Sequence, residues 1–112
     1  MEDPHTAAIC VYTTTDSEQQ ASSIAQSLIE QRLAACAQIS GPIRSVYWWQ
    51  GRVDSSQEWV CAVKTTPESY TTVEAAIRAV HNYDEPEIVA VPFVAGSKGY
   101  LTWLRDSVQT HR

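Results

Sequence analysis

Four side chains able to hold a cation fall within seven residues: His81, Asp84, Glu85 and Glu87. Imidazole joined by carboxylates suits zinc or copper, while carboxylates alone favour harder cations. The same residues also read as a histidine placed against a helix dipole, followed by an acidic turn that Pro86 closes. Three cysteines, Cys10, Cys36 and Cys61, form an odd set with no close pair, which fits neither a disulfide framework nor a zinc knuckle; they read as reduced thiols. Nucleophilic catalysis needs a base beside a thiol, and only Cys36 with His81 offers the pair. Cys36 follows Leu33-Ala34-Ala35 at a helix end, the setting of a small buried hydrophobe. Neither a G-x-S-x-G elbow nor a phosphate-binding or dinucleotide glycine loop occurs, so the chain reads as a non-enzyme.

A second group, Trp48, Trp49, Lys64, Tyr83 and Glu87, is of the types that line clefts between subunits or fill interfaces. Lys64 stands between Val63 and Thr65 at the inner end of a strand. It must reach water or meet a carboxylate, and Glu87 is the expected partner.

The elements that must place these groups follow from periodicity. Residues 7–13, with Ile9, Val11 and Tyr12, form a short buried strand. Asp16, three residues before Gln19, is the expected cap of a helix over 17–33, whose apolar stripe is Ala21, Ile24, Ala25, Leu28 and Ile29. Gly41-Pro42 reads as the turn beyond that helix. Residues 43–66 are aromatic and β-branched around a polar tip, Asp54-Ser55-Ser56-Gln57, and predict a β-hairpin. Thr66-Pro67 opens a second helix with Tyr70, Val73, Ala76, Ile77 and Val80 inward. After a loop over 81–86, residues 88–94 form an unbroken apolar strand, and Tyr100 to Val108 a short amphipathic helix.

The order β, α, β, β, α, β plus a final helix is that of the split βαβ plait, an α+β fold with both crossover helices on one face of a four-stranded sheet. The second face should then alternate toward polar residues, yet Val46 to Trp49, Trp59 to Val63 and Ile88 to Val94 are apolar at both parities. Such a face exceeds what a soluble monomer exposes, so an oligomer joined through the sheet and hairpin is expected.

At 112 residues, 44% hydrophobic, with four Gly and five Pro, the whole chain 1–112 is one domain, its ends 1–6 and 109–112 expected to be disordered. His5 and His111 fall in those ends. A net charge of −5 without a basic block disfavours nucleic acid. No apolar run approaches the length of a membrane span, and the acidic opening lacks a secretory pattern, so a cytoplasmic location is expected.

Taken together, Leu33-Ala34-Ala35-Cys36-Ala37, Ser45 to Gly51, Lys64-Thr65, His81 to Ile88 and Tyr100-Leu101-Thr102-Trp103 resemble, in order, the CutA divalent-cation tolerance proteins over residues 8 to 106. The resemblance implies a ferredoxin-like, PII-like subunit with a long hairpin, assembled as a homotrimer. It further implies binding of copper(II) or another divalent cation. In the bacterial type the ligands are a Cys near the end of the first strand and two successive His ending the second helix; here these positions hold Tyr12, Val80 and His81, leaving His81 as the ligand with Asp84 beside it. Cys36, Trp49, Lys64, Tyr83 and Glu87 resemble the family's inter-subunit cleft. The alternative is a PII-like trimeric binding module whose cleft takes a small ligand or a protein partner, with metal incidental.

Overall fold

The computed structural model describes residues 7–108, so the ends 1–6 and 109–112 expected to be disordered lie outside the described residues. Along the chain run β1 (Ile9–Thr15), α1 (Glu18–Glu30), β2 (Cys36–Trp49), β3 (Arg52–Thr65), a single 3-10 turn (Pro67–Ser69), α2 (Tyr70–Val80), β4 (Ile88–Pro92) and α3 (Lys98–Ser107). All pairings are antiparallel in one sheet of order β2-β3-β1-β4, the topology the plait requires.

Side-chain alternation divides the sheet cleanly. Ile9, Val11, Thr13 and Thr15 of β1 and Cys61, Val63 and Thr65 of β3 point under the helices and are buried. There they meet Ala21, Ile24, Ala25 and Leu28 of α1 and Val73 and Ile77 of α2, which form the main core. The opposite parity brings Val91, Cys10, Lys64 and Cys36 into one row across the four strands, and Val89, Tyr12, Ala62 and Gln38 into the next. α3 covers one end of this second face. Leu101 and Leu104 pack on Ala8 with Ala35 and Phe93, and Tyr100 lies over Lys64. Elsewhere the face is open, with Val89 and Val91 about half exposed.

Several boundaries differ from the sequence expectation. Ser17, not Asp16, caps α1, its hydroxyl accepting the Gln20 amide at 3.1 Å. α1 stops at Glu30 rather than 33, because Arg32 turns left-handed (φ 62°) and the amides of Arg32 and Leu33 return to the carbonyls of Ile29 and Leu28. This is a Schellman closure with arginine at the usual glycine position. Cys36 therefore opens a strand instead of ending a helix. Gly41-Pro42 is not a connecting turn; it sits inside β2, where the register shifts between Ser40 and Ile43. The hairpin tip is Gln50-Gly51, both at positive φ (51° and 76°), as a two-residue type I′ turn needs. Asp54 to Gln57, expected as the tip, pair in the ladder with Tyr47 to Arg44. β4 ends at Pro92, and α3 begins at Lys98 rather than at Tyr100.

Each hairpin strand has 14 residues, which at about 3.3 Å per residue is close to the molecule's 44 Å long axis. The far half of the hairpin stands clear of the body and exposes Val46, Trp48, Trp49 and Val53, Trp48 at 75%.

Ile77 is fully buried between α2 and the sheet. Ile77→Ala is expected to lower unfolding free energy by about 2–5 kcal/mol, through lost burial and a residual cavity. Denaturant unfolding at fixed protein concentration checks this; a loss below about 1 kcal/mol would mean that the site collapses around the smaller side chain.

Candidate functional site

The loop between α2 and β4 is tied to the body by side chains from three elements. His81, the residue that ends α2, has Nε2 2.9 Å from the Thr14 carbonyl at the end of β1, and its Nδ1 accepts the Tyr83 amide at 3.1 Å. Gln20 of α1 bridges the loop's start, donating to the Val80 carbonyl at 3.2 Å and accepting the Asn82 amide at 2.9 Å. Asn82 donates its side-chain amide to Asp16, and Arg78 pairs with Glu85 at 3.2 Å. Asp16 thus serves the loop, not the helix it precedes.

Tyr83 carries its hydroxyl to Glu58 of β3, 2.8 Å away. Glu58 is buried, so its carboxylate has exchanged most of its water for this phenol. Burial, followed by the Glu58 carboxylate and then by Asp16 and Tyr47, pushes the Tyr83 phenol well above the ordinary tyrosine range. The hydroxyl stays protonated and is a donor. Sequence reading passes over Glu58, because it follows the polar run Asp54 to Gln57 and its partner lies 25 residues away.

The other expected site residues are spread along the sheet. Cys36 and Lys64 are cross-strand neighbours on the open face. Lys64 does not pair with Glu87. Its Nζ sits 5.9 Å above the Tyr100 ring, a cation–π contact. The register explains this: Lys64 faces Cys10 while Ile88 faces Thr13, which leaves Glu87 four positions, roughly 13 Å, further along β1. Trp49 ends β2 at the hairpin tip beside Arg52, twelve residues along β3 from Lys64 and therefore roughly 40 Å away. Within the chain these five residues do not share a cleft.

The donor set for a metal is equally dispersed. Among the described residues no group of three or more His, Cys, Asp or Glu side chains is arranged to hold an ion. Asp84 and Glu87 are exposed, and both nitrogens of His81 are engaged. Tyr12 lies on the open face, where Cys10 beside it holds its phenol above the usual range. The described residues of the chain do not fit a preformed copper centre.

Of the three free thiols, Cys10 and Cys61 are buried and Cys36 is partly open. Burial, with Cys10 nearby, pushes the Cys61 thiol up to about 11. At pH 8 Cys61 is therefore almost wholly protonated and shielded, and iodoacetamide is expected to leave it unmodified in the folded protein. Peptide mapping checks this; labelling of Cys61 at a rate matching the unfolded chain would contradict the burial.

Comparison with known proteins agrees with this architecture. A family model described as CutA1 divalent ion tolerance protein matches residues 9–107. The chain is 43% identical over 97 residues to a divalent-cation tolerance protein CutA of Thermus thermophilus, covering 87% of this chain and 94% of that protein. A solved Cut A1 structure, also from Thermus thermophilus, superposes with TM-score 0.89 at 41% identity, over 91% of this chain and 99% of the other. A CutA1 crystal structure from Oryza sativa superposes with TM-score 0.92 at 34% identity, over 97% and 100%.

Proposed function

Because the chain belongs to the CutA1 divalent ion tolerance family, we propose that it serves divalent-cation tolerance as a homotrimer, with its working site between subunits. In this reading Cys36, Trp49, Lys64, Tyr83 and Glu87 form one cleft only when the hairpin of one copy reaches the sheet of the next. Copper(II), or an ion of similar kind, is held there by side chains from more than one subunit. A cytoplasmic location accords with the reduced thiols. None of the described helices is long and apolar enough to cross a membrane.

The observation that carries the reading is the open face itself. Val89 and Val91, together with the exposed Val46, Trp48, Trp49 and Val53 of the hairpin, are apolar surface of the kind that soluble chains cover with a partner. Closed rings of identical copies are the usual solution. Cys36, the one thiol of the three that is not fully buried, lies on that face and supplies the softest donor for copper.

A second reading has its own support. Lys64 is in none of the ion pairs among the described residues, and once a partner covers the open face its ammonium calls for an anion. A small carboxylate or similar ligand would meet that demand, making the cleft a binding module with metal incidental.

Light scattering of the reduced protein is expected to give three chain masses, and Val91→Asp, which places a charge on the open face, to give one. Copper titration by calorimetry is expected to show binding in the trimer, a loss of about tenfold or more in Cys36→Ser, and none in the monomeric variant. A monomeric wild type would remove the reading; a trimer indifferent to copper would shift it to the anionic ligand.

A further inference from the structure

The imidazole of His81 has only one way to satisfy its two neighbours. The Thr14 carbonyl accepts and cannot donate, so Nε2, 2.9 Å from it, bears the proton. The Tyr83 amide donates and cannot accept, so Nδ1, 3.1 Å from it, is bare. One neutral tautomer meets both demands.

Histidines that bind metals commonly donate their second ring N–H to a carbonyl or carboxylate, and the bond to Thr14 is of that kind. Nδ1 is what distinguishes this ring. Its lone pair, the one a metal would use, is taken up by the amide two residues ahead. Asn side chains play this part in Asx turns, accepting the amide of the second residue on. His81 acts as a long version of the same device, and its ring also packs against that of Tyr83 with centroids 4.9 Å apart. Further along the chain, the Tyr83 phenol reaches the buried Glu58.

We propose that His81 is a positioning residue: it fixes the loop so that Tyr83 is held on Glu58 at the candidate cleft, while the divalent ion takes its ligands elsewhere. The consequence for the cleft rests on the trimer reading above, but the role of the ring does not. The bonds it makes lie within one subunit.

Two variants of the full chain separate a positioning ring from a ligating one. His81→Ala removes both bonds, whereas His81→Asn keeps an oxygen able to accept the Tyr83 amide and removes the imidazole. Hydrogen exchange at the Tyr83 amide is expected to speed up roughly three- to tenfold in His81→Ala, the worth of one hydrogen bond, and to return toward wild type in His81→Asn. Copper affinity by calorimetry is expected to be unchanged in His81→Asn, and the spin-resonance spectrum of the copper-loaded wild type to show no nitrogen coupling that this variant abolishes. Loss of copper affinity by about tenfold or more in both variants would overturn the proposal, as would Tyr83 exchange indifferent to either change. Should His81→Ala fail to fold, the copper affinity and spin-resonance spectrum of His81→Asn decide, since that variant lacks the imidazole and keeps the turn. A wild type that takes up no copper would count against ion binding by the trimer, and amide exchange would then decide the role of His81.

Discussion

A four-stranded sheet has two faces, and this chain places apolar side chains on both while supplying crossover helices for only one. The handedness of βαβ connections leaves no choice about where α1 and α2 go. With both on one side, Val11, Cys61 and Val63 are sealed beneath Ile24, Leu28 and Ile77. The row containing Val91, Cys10, Lys64 and Cys36 faces the other way. α3 covers only the end of that face near Ala8 and Ala35. The hairpin magnifies the imbalance, since its 14-residue strands continue past the last helix contact and carry Trp48 and Trp49 with them. The uncovered surface and the exposed aromatic hairpin share this one cause.

The loop over 81–87 follows a different logic. It joins α2 to β4 at the end of the sheet where β1 stops, and its exposed residues outnumber its buried ones. Polar bonds therefore fix it: the His81 ring to Thr14, Gln20 to both Val80 and Asn82, Asp16 to Asn82, and Tyr83 to Glu58. Such bonds contribute modestly one by one, about 1 kcal/mol each, but together they leave the segment few alternative conformations. The exception to the exposed pattern is Glu58. A buried carboxylate bonded to a phenol is costly to leave unpaired, so the pair holds the loop more firmly than a surface contact would.

What is legible in the sequence is whatever depends on periodicity. The stripe of Ala21, Ile24, Ala25 and Leu28, the β-branched strands and the mismatch between one helix layer and two apolar faces all follow from residue type and spacing. What is not legible depends on single backbone conformations. Arg32 closes α1 in a left-handed geometry usually given to glycine, and Gln50 does the same at the hairpin tip. Arg32 signals no turn, so periodicity alone runs the helix three residues too long; at the tip the single Gly51 is a weaker signal than the polar run Asp54 to Gln57, and the expected tip moves there. Cys36 is misplaced for the same reason, since the helix end fixes where the strand begins. The ties of Asp16 and Glu58 to the loop, across 66 and 25 residues of sequence, carry no local signal of any kind.

Lys64 shows how these constraints meet. On the isolated subunit its ammonium leans over the Tyr100 ring, a contact worth about 0.5–1 kcal/mol where water remains and more where it does not. Its row neighbours are Cys10 and Cys36, with Val91 beyond, so that row of the sheet places no carboxylate beside it. Covering the open face removes water from the ammonium, and an aromatic ring alone does not replace it. On a covered face the ammonium would be a cost that only a counter-charge could offset, such as a carboxylate or an anion bound from solution. Leucine at this position would carry no such cost, so lysine here is compatible with burial only where a counter-charge is at hand.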